Sequence, residues 1–192
     1  MVSVESQMLE LGTKALDFEL NDVVSNKKMK LDDLRGIKGT LIFFISNHCP
    51  YVIHIRDHFN SLYEDYSNNI SFIAINSNDV DAYPRDNPEN MKNLAEEKNW
   101  QFPFLFDSSQ DVAKSYKAAC TPDFYLFDNE LKLFYRGQLD GSRPKNNIPV
   151  TGKDLRRAID LLLAEKNPPE EQFPSIGCNI KWKPGSTPDY FG

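Results

Sequence analysis

The stretch SNHCPYVIHI, residues 46–55, holds a lone thiol, Cys49, between His48 and Pro50. It follows the apolar run TLIFFI and precedes apolar residues at helical spacing. If Cys49 caps a helix that begins at Pro50, the proline has no N–H, and the free amides of Tyr51 and Val52 are left to point at the sulfur. Those donors and the positive end of the helix dipole favour a thiolate, and cysteines so placed have pKa values lowered from about 8.5 to roughly 3.5–7.5. The chemistry within reach is nucleophilic attack by sulfur at neutral pH. A free cysteine also packs well as a small buried apolar residue. The strand-to-helix switch, where ligands meet the ends of parallel strands, favours the functional reading.

Oxidation of such a thiolate gives a sulfenic acid, which condenses with any second thiol that can reach it. Cys120, two residues before Pro122, is one candidate, although it also reads as a small packed residue at the end of the short helix AKSYKAA. Cys178 lies in the tail, where a spectator is expected unless the tail crosses the strand ends near the first helix, in which case Cys178 could approach Cys49 and resolve it. His54 and His58 stand four apart on one helix face, a spacing that suits a metal ion. That face is turned away from Cys49, so hydrogen-bonded or solvated histidines are expected, with no metal and no bound cofactor. His48 directly precedes the thiol and could influence its charge. Arg136 and Asp140, in YRGQLDG, read as an ion pair closing the sheet edge, and KWK at 181–183 as a tail anchor with Trp182 buried.

The elements that must position these residues alternate along the chain. LDFEL and KMK read as short strands, TLIFFIS as a central strand buried on both faces, and ISFIAIN as the next. Val52, Ile55, Phe59, Leu62, Tyr63 and Tyr66 form one helical stripe. Asn87 caps a second helix with Pro88 at its first position, FPFLFD leads to a short helix at QDVAKSYKA, and DFYLFD and LKLFYRG form a hairpin. Thr151 is expected to cap the last helix, TGKDLRRAIDLLLAEK. Residues 167–192 are broken by five prolines and read as an extension without regular structure, docked through its aromatic residues.

Composition narrows the setting. A chain of 192 residues, 40% hydrophobic, can bury one sizeable core. A net charge of −6 and a pI near 5.1 argue against a nucleic-acid partner. The N-terminus has neither a basic opening nor a continuous apolar stretch, and no run is long enough for a membrane span, so a cytoplasmic protein is expected. Three cysteines are too few, and odd in number, for a secreted disulfide scaffold.

GTKALDFELND, LDDLRG, TLIFFISNHCPYV, ACTPDFYLFD and YRGQLDG together resemble the redoxins of the thioredoxin superfamily, in particular their peroxiredoxin-like branch (alkyl hydroperoxide reductase/thiol-specific antioxidant-like). The resemblance spans about residues 10 to 165, and the tail SIGCNIKWKPG is similar to that branch too. It implies Cys49 as the redox thiol and Pro122 as a cis-proline facing it. Ser46 stands where thioredoxin-like members carry the first cysteine of CxxC, which removes a disulfide within the turn. The resulting SxxC resembles the TxxC of peroxiredoxins, whose hydroxyl helps to hold the peroxide. Ile42 replaces their proline four residues earlier, and CTPDF occupies the place of their later arginine.

The resemblance implies a thioredoxin-like α/β sandwich, a central mixed sheet flanked by helices, over 1–166, with an irregular C-terminal extension over 167–192. It implies a thiol-dependent oxidoreductase in which Cys49 attacks a peroxide or a disulfide, with Ser46, Cys120 and Pro122 as the other site residues and an external thiol as reductant. The alternative is a redoxin-fold binding module that has lost turnover.

Overall fold

The structure, a computed structural model, describes residues 3–191. Its frame is a seven-stranded mixed sheet of β2 (Glu19–Asp22), β3 (Lys28–Lys30), β4 (Gly39–Phe44), β5 (Ile70–Asn76), β6 (Phe104–Phe106), β8 (Asp123–Asp128) and β9 (Leu133–Gly137), in the order β3-β2-β6-β5-β4-β8-β9. β4 runs parallel to β5, and β5 to β6, while β8 and β9 form the expected antiparallel hairpin beside β4.

Every residue of β4 is buried, as a strand covered on both faces requires. Leu41, Phe43 and Ile45 pack into the core on one side, and Ile42 and Phe44 into the core on the other, because successive side chains alternate across a strand. The first core is filled by α1 (Pro50–Ile55), α2 (Phe59–Tyr66), α3 (Pro88–Glu97) and α5 (Lys153–Leu163). The second takes α4 (Asp111–Ser115). Asn87 caps α3 as expected, its side chain accepting from the Asn90 N–H, with Pro88 in the first turn.

Four expectations need correction. The single stripe after Pro50 is two helices, α1 and α2, joined by a tight 3-10 turn at Arg56–His58, although Val52, Ile55, Phe59 and Leu62 all remain buried. Gly152, not Thr151, caps α5, with φ at +69°. The cap's function passes to Asp140, whose Oδ2 accepts from the N–H groups of Thr151 at 2.7 Å and Gly152 at 2.6 Å. Asp140 is therefore not the partner of Arg136, which pairs with Asp123 at 3.1 Å beneath the sheet and stacks over the Tyr125 ring.

The fourth correction concerns the tail, which has regular structure. Ile176–Asn179 form β10, the middle strand of a small antiparallel sheet between β1 (Ser3–Glu5) and β7 (Cys120–Thr121). Gly177 makes this possible: a Cβ there would stand 2.0 Å from the Thr121 carbonyl oxygen, so only glycine lets the tail lie against β7. Ile180 and Trp182 then cross to the second core. Among the described residues, no helix is long and apolar enough to cross a membrane.

Candidate active site

Cys49 sits where strand β4 hands over to α1. Its backbone is extended, it is the N-cap of the helix, and Pro50 follows in the first turn. The residue is wholly buried. Its Sγ donates to the Thr121 carbonyl at 3.1 Å, a contact that suits the thiol form. Other neighbours favour the thiolate. The thiol of Cys178, the side chain of Thr121 and the N–H of Val52, in that order apart from the opposing effect of burial, bring the Cys49 pKa from 9.0 down to about 6. The same contact pushes Cys178 far up, because its proton is held by the Cys49 sulfur.

The sequence favours a spectator for Cys178 over a resolver, and the structure brings this thiol to the nucleophile. The register explains the choice between the two other cysteines. Cys178 lies directly opposite Thr121, and Cys120 opposite Asn179. Opposite residues of an antiparallel pair share a face and adjacent ones do not, so Cys178 and Cys120 point to opposite sides of the ribbon. Cys120 Sγ instead makes long contacts to the carbonyls of Pro122 at 3.6 Å and Ser175 at 3.8 Å. Its burial, with Asp123 nearby, raises its pKa well above the ordinary thiol value. Cys120 is thus a buried thiol on the face of the ribbon opposite to Cys178. The glycine before Cys178, in a tail otherwise broken by prolines, was the one signal in the sequence that this segment approaches another backbone closely.

Pro122 follows a cis peptide bond, as the resemblance implied, and lines a small recess with Tyr51, Ile55, Ser142, Arg143 and Ile176. The recess has about 10 Å³ of free space, room for about one water molecule. Hollows of 440 and 470 Å³ elsewhere are lined by residues remote from Cys49.

Ser46 belongs to a different network. Its Oγ donates to the Asp86 carboxylate at 3.1 Å and 3.3 Å and lies 3.2 Å from His48 Nδ1. Asp86 is fully buried and also accepts from the Asn47 N–H at 2.6 Å, Asn78 Nδ2 at 2.7 Å and His48 Nδ1 at 2.7 Å. Burial acts to raise the Asp86 pKa, but His48 and these amide donors overcome it and hold the carboxyl below its ordinary value. Arg136, also fully buried, is engaged by Asp123 and the Lys117 carbonyl. Both of these Arg136 bonds come from Nη2, and its Nε and Nη1 have no hydrogen-bond partner among the described residues. His54 is bonded to Ser142 Oγ at 2.7 Å, and among the described residues no cluster of three ligands could hold a metal ion.

The site is thus a buried thiol at a strand-to-helix switch, with a second thiol in contact and a cis-proline directly after the carbonyl it bonds. The AhpC/TSA family pattern matches residues 11–136. The chain belongs to the AhpC/TSA family. Two solved structures align over nearly the whole length: an uncharacterized conserved protein from Geobacillus kaustophilus, 54% identical over 96% of this chain and 98% of its own, with a TM-score of 0.94, and a hypothetical protein from Sinorhizobium meliloti 1021, 44% identical over 93% and 98%, with a TM-score of 0.91. A peroxidoxin from Mycobacterium tuberculosis, 17% identical over 83% of this chain and 100% of its own, shares the thioredoxin-like fold with a TM-score of 0.62. No curated protein sequence matches the chain. The family is one of thiol-dependent oxidoreductases, so the AhpC/TSA chain described here carries that general activity.

Proposed function

We propose that this protein reduces peroxides through a pair of thiols, Cys49 as nucleophile and Cys178 as resolver. The observation that carries the reading is the hydrogen bond from the Cys178 thiol to the Cys49 sulfur, which holds a thiolate and its second thiol in contact before any oxidant arrives. The Cys49 thiolate attacks one oxygen of the peroxide; an S–O bond forms, the O–O bond breaks, and Cys49 becomes a sulfenic acid while an alkoxide or hydroxide leaves. Cys178 then attacks the sulfenic sulfur, giving the disulfide and water. An external thiol returns the pair to the dithiol. Burial of both sulfurs favours a small oxidant over a protein disulfide.

One observation favours the second reading, thiol–disulfide exchange: the Ser46 hydroxyl, three residues before Cys49, is turned to the Asp86 carboxylate. The two separate on one experiment. One equivalent of hydrogen peroxide, followed by peptide mapping, is expected to join the peptides of Cys49 and Cys178, and Cys178→Ser is expected to leave a trappable sulfenic acid on Cys49. Inertness toward peroxide with ready exchange against a small disulfide would move the assignment to the second reading. Inertness of Cys49 toward both would leave the binding module.

A further inference from the structure

Both readings of Cys49 create the same need. When the thiolate attacks a peroxide or a disulfide, the departing oxygen or sulfur leaves as an anion and needs a proton. Ser46 Oγ gives its proton to Asp86, and a guanidinium such as that of Arg136 does not give up its proton in a protein. The Cys178 proton is required one step later, when it leaves with the sulfenic hydroxyl as water.

His48 is placed differently. Asp86 is a carboxylate that accepts from three other donors, Ser46 Oγ, the Asn47 N–H and Asn78 Nδ2, so its contact with His48 Nδ1 at 2.7 Å fixes the proton on Nδ1. The ring plane is fixed as well, by parallel stacking on Tyr83 with centroids 5.5 Å apart and 5° between planes. That leaves Nε2 as the nitrogen with no hydrogen-bond partner among the described residues, and it is not one of the enclosed polar atoms. The side chain retains 11% of its exposure, beside a Tyr83 that is 40% exposed. An oriented imidazole with one nitrogen anchored on a buried carboxylate and the other open, on the residue next to the nucleophile, is the arrangement of an acid–base group.

We infer that His48 is the proton donor of this site and that Asp86 is its positioning residue. The proposal rests on Cys49 as the attacking sulfur. The imidazolium gives the proton on Nε2 to the departing alkoxide or hydroxide, which leaves as alcohol or water; His48 becomes neutral, keeps Nδ1–H on Asp86, and regains its proton from solvent. Against a disulfide, the same proton goes to the departing thiolate. Asn78 ties the device to the tail, because its Nδ2 holds Asp86 while its Oδ1 accepts from the Lys181 N–H at 2.8 Å.

A general acid matters in proportion to the basicity of the leaving group, which a merely structural residue does not. Oxidation of Cys49 by hydrogen peroxide, whose leaving group is hydroxide, is therefore compared by stopped flow with oxidation by peracetic acid, whose leaving group is acetate. His48→Gln is expected to slow the first about 10²-fold and the second less than about 3-fold. Added imidazole is expected to restore part of the hydrogen peroxide rate in His48→Gly. Asp86→Asn should reproduce the selective slowing, and equal slowing of both oxidants by it would reduce Asp86 to a structural role. Equal slowing of both oxidants by His48→Gln, or no slowing with hydrogen peroxide, overturns the proposal. If wild-type Cys49 ignores peroxides, the peroxidase reading fails by itself, and the comparison is made between an aliphatic and an aromatic disulfide, with selective slowing of the aliphatic one expected. A Cys49 inert to every oxidant overturns both.

Discussion

Cys178→Ala removes the group that contributes most to holding the Cys49 thiolate. A hydrogen bond to a charged group is worth about 1.5–3 kcal/mol, and at about 1.4 kcal/mol per pH unit its loss corresponds to a rise of about one to two on the pH scale. Cys49, held at about 6 in the native protein, is then expected to titrate at roughly 7 to 8, because the Val52 N–H and the Thr121 side chain remain. At pH 7 the thiolate fraction falls from about nine-tenths to somewhere between about a half and a tenth. The ultraviolet absorbance of the thiolate, followed against pH in the reduced protein, reads the midpoint directly. Cys120→Ser serves as the control, since that thiol is fully buried and points to the other side of the ribbon. An unchanged midpoint in Cys178→Ala would refute the assignment of Cys178 as the principal donor, and with it the argument that the tail tunes the nucleophile. A midpoint already near 9 in the wild type would refute the thiolate itself.

The same shift has a signature in stability. A folded pKa lowered from 9.0 to about 6 gives Cys49 a contribution that is fully present above pH 9 and is lost as pH falls through about 6. The unfolding free energy of the reduced wild type, measured against Cys49→Ser in urea, is therefore expected to gain between pH 6 and 9, by up to about 4 kcal/mol; a constant difference across that window would contradict it. Arg136→Leu leaves the buried Asp123 carboxylate without its guanidinium and is expected to destabilise by about 3–5 kcal/mol in the same assay. Asp123→Asn in that background should recover part of the loss, and an Arg136→Leu protein as stable as wild type would show that the pair is not needed.

Much of the frame was legible in the chain because it rests on local periodicity. The unbroken apolar run of β4, the hairpin of β8 and β9, the Asn87 cap and the order strand, Cys49, Pro50, helix all follow from rules that act within a few residues. Where the reading failed, the deciding interaction was distant in sequence. The α5 cap was assigned to Thr151 by its type, while the backbone amides there are taken by Asp140, eleven residues earlier. Arg136 was paired with its neighbour in the sequence, yet its partner is the cross-strand Asp123. The network around Asp86 had no sequence signal, since a lone aspartate at the end of a short 3-10 turn does not announce that it will be buried against a residue 40 positions before it.

Sequence alone determined that a thiol would stand at the positive end of a helix, because the proline after Cys49 and the apolar strand before it dictate that geometry without help from the rest of the chain. Only the tertiary structure decided which thiol would meet it. Cys178 is 129 residues away along the chain, and it arrives because Gly177 lets β10 lie against β7 in a register that turns Cys178, and not Cys120, toward the nucleophile. Register is a choice among pairings that composition leaves nearly equal, and a shift of one residue would reverse every side chain on the strand. It is fixed here at both ends of the strand, with the Ser175 N–H bonded to Ser6 and the Lys181 N–H to Asn78, partners 169 and 103 residues away along the chain.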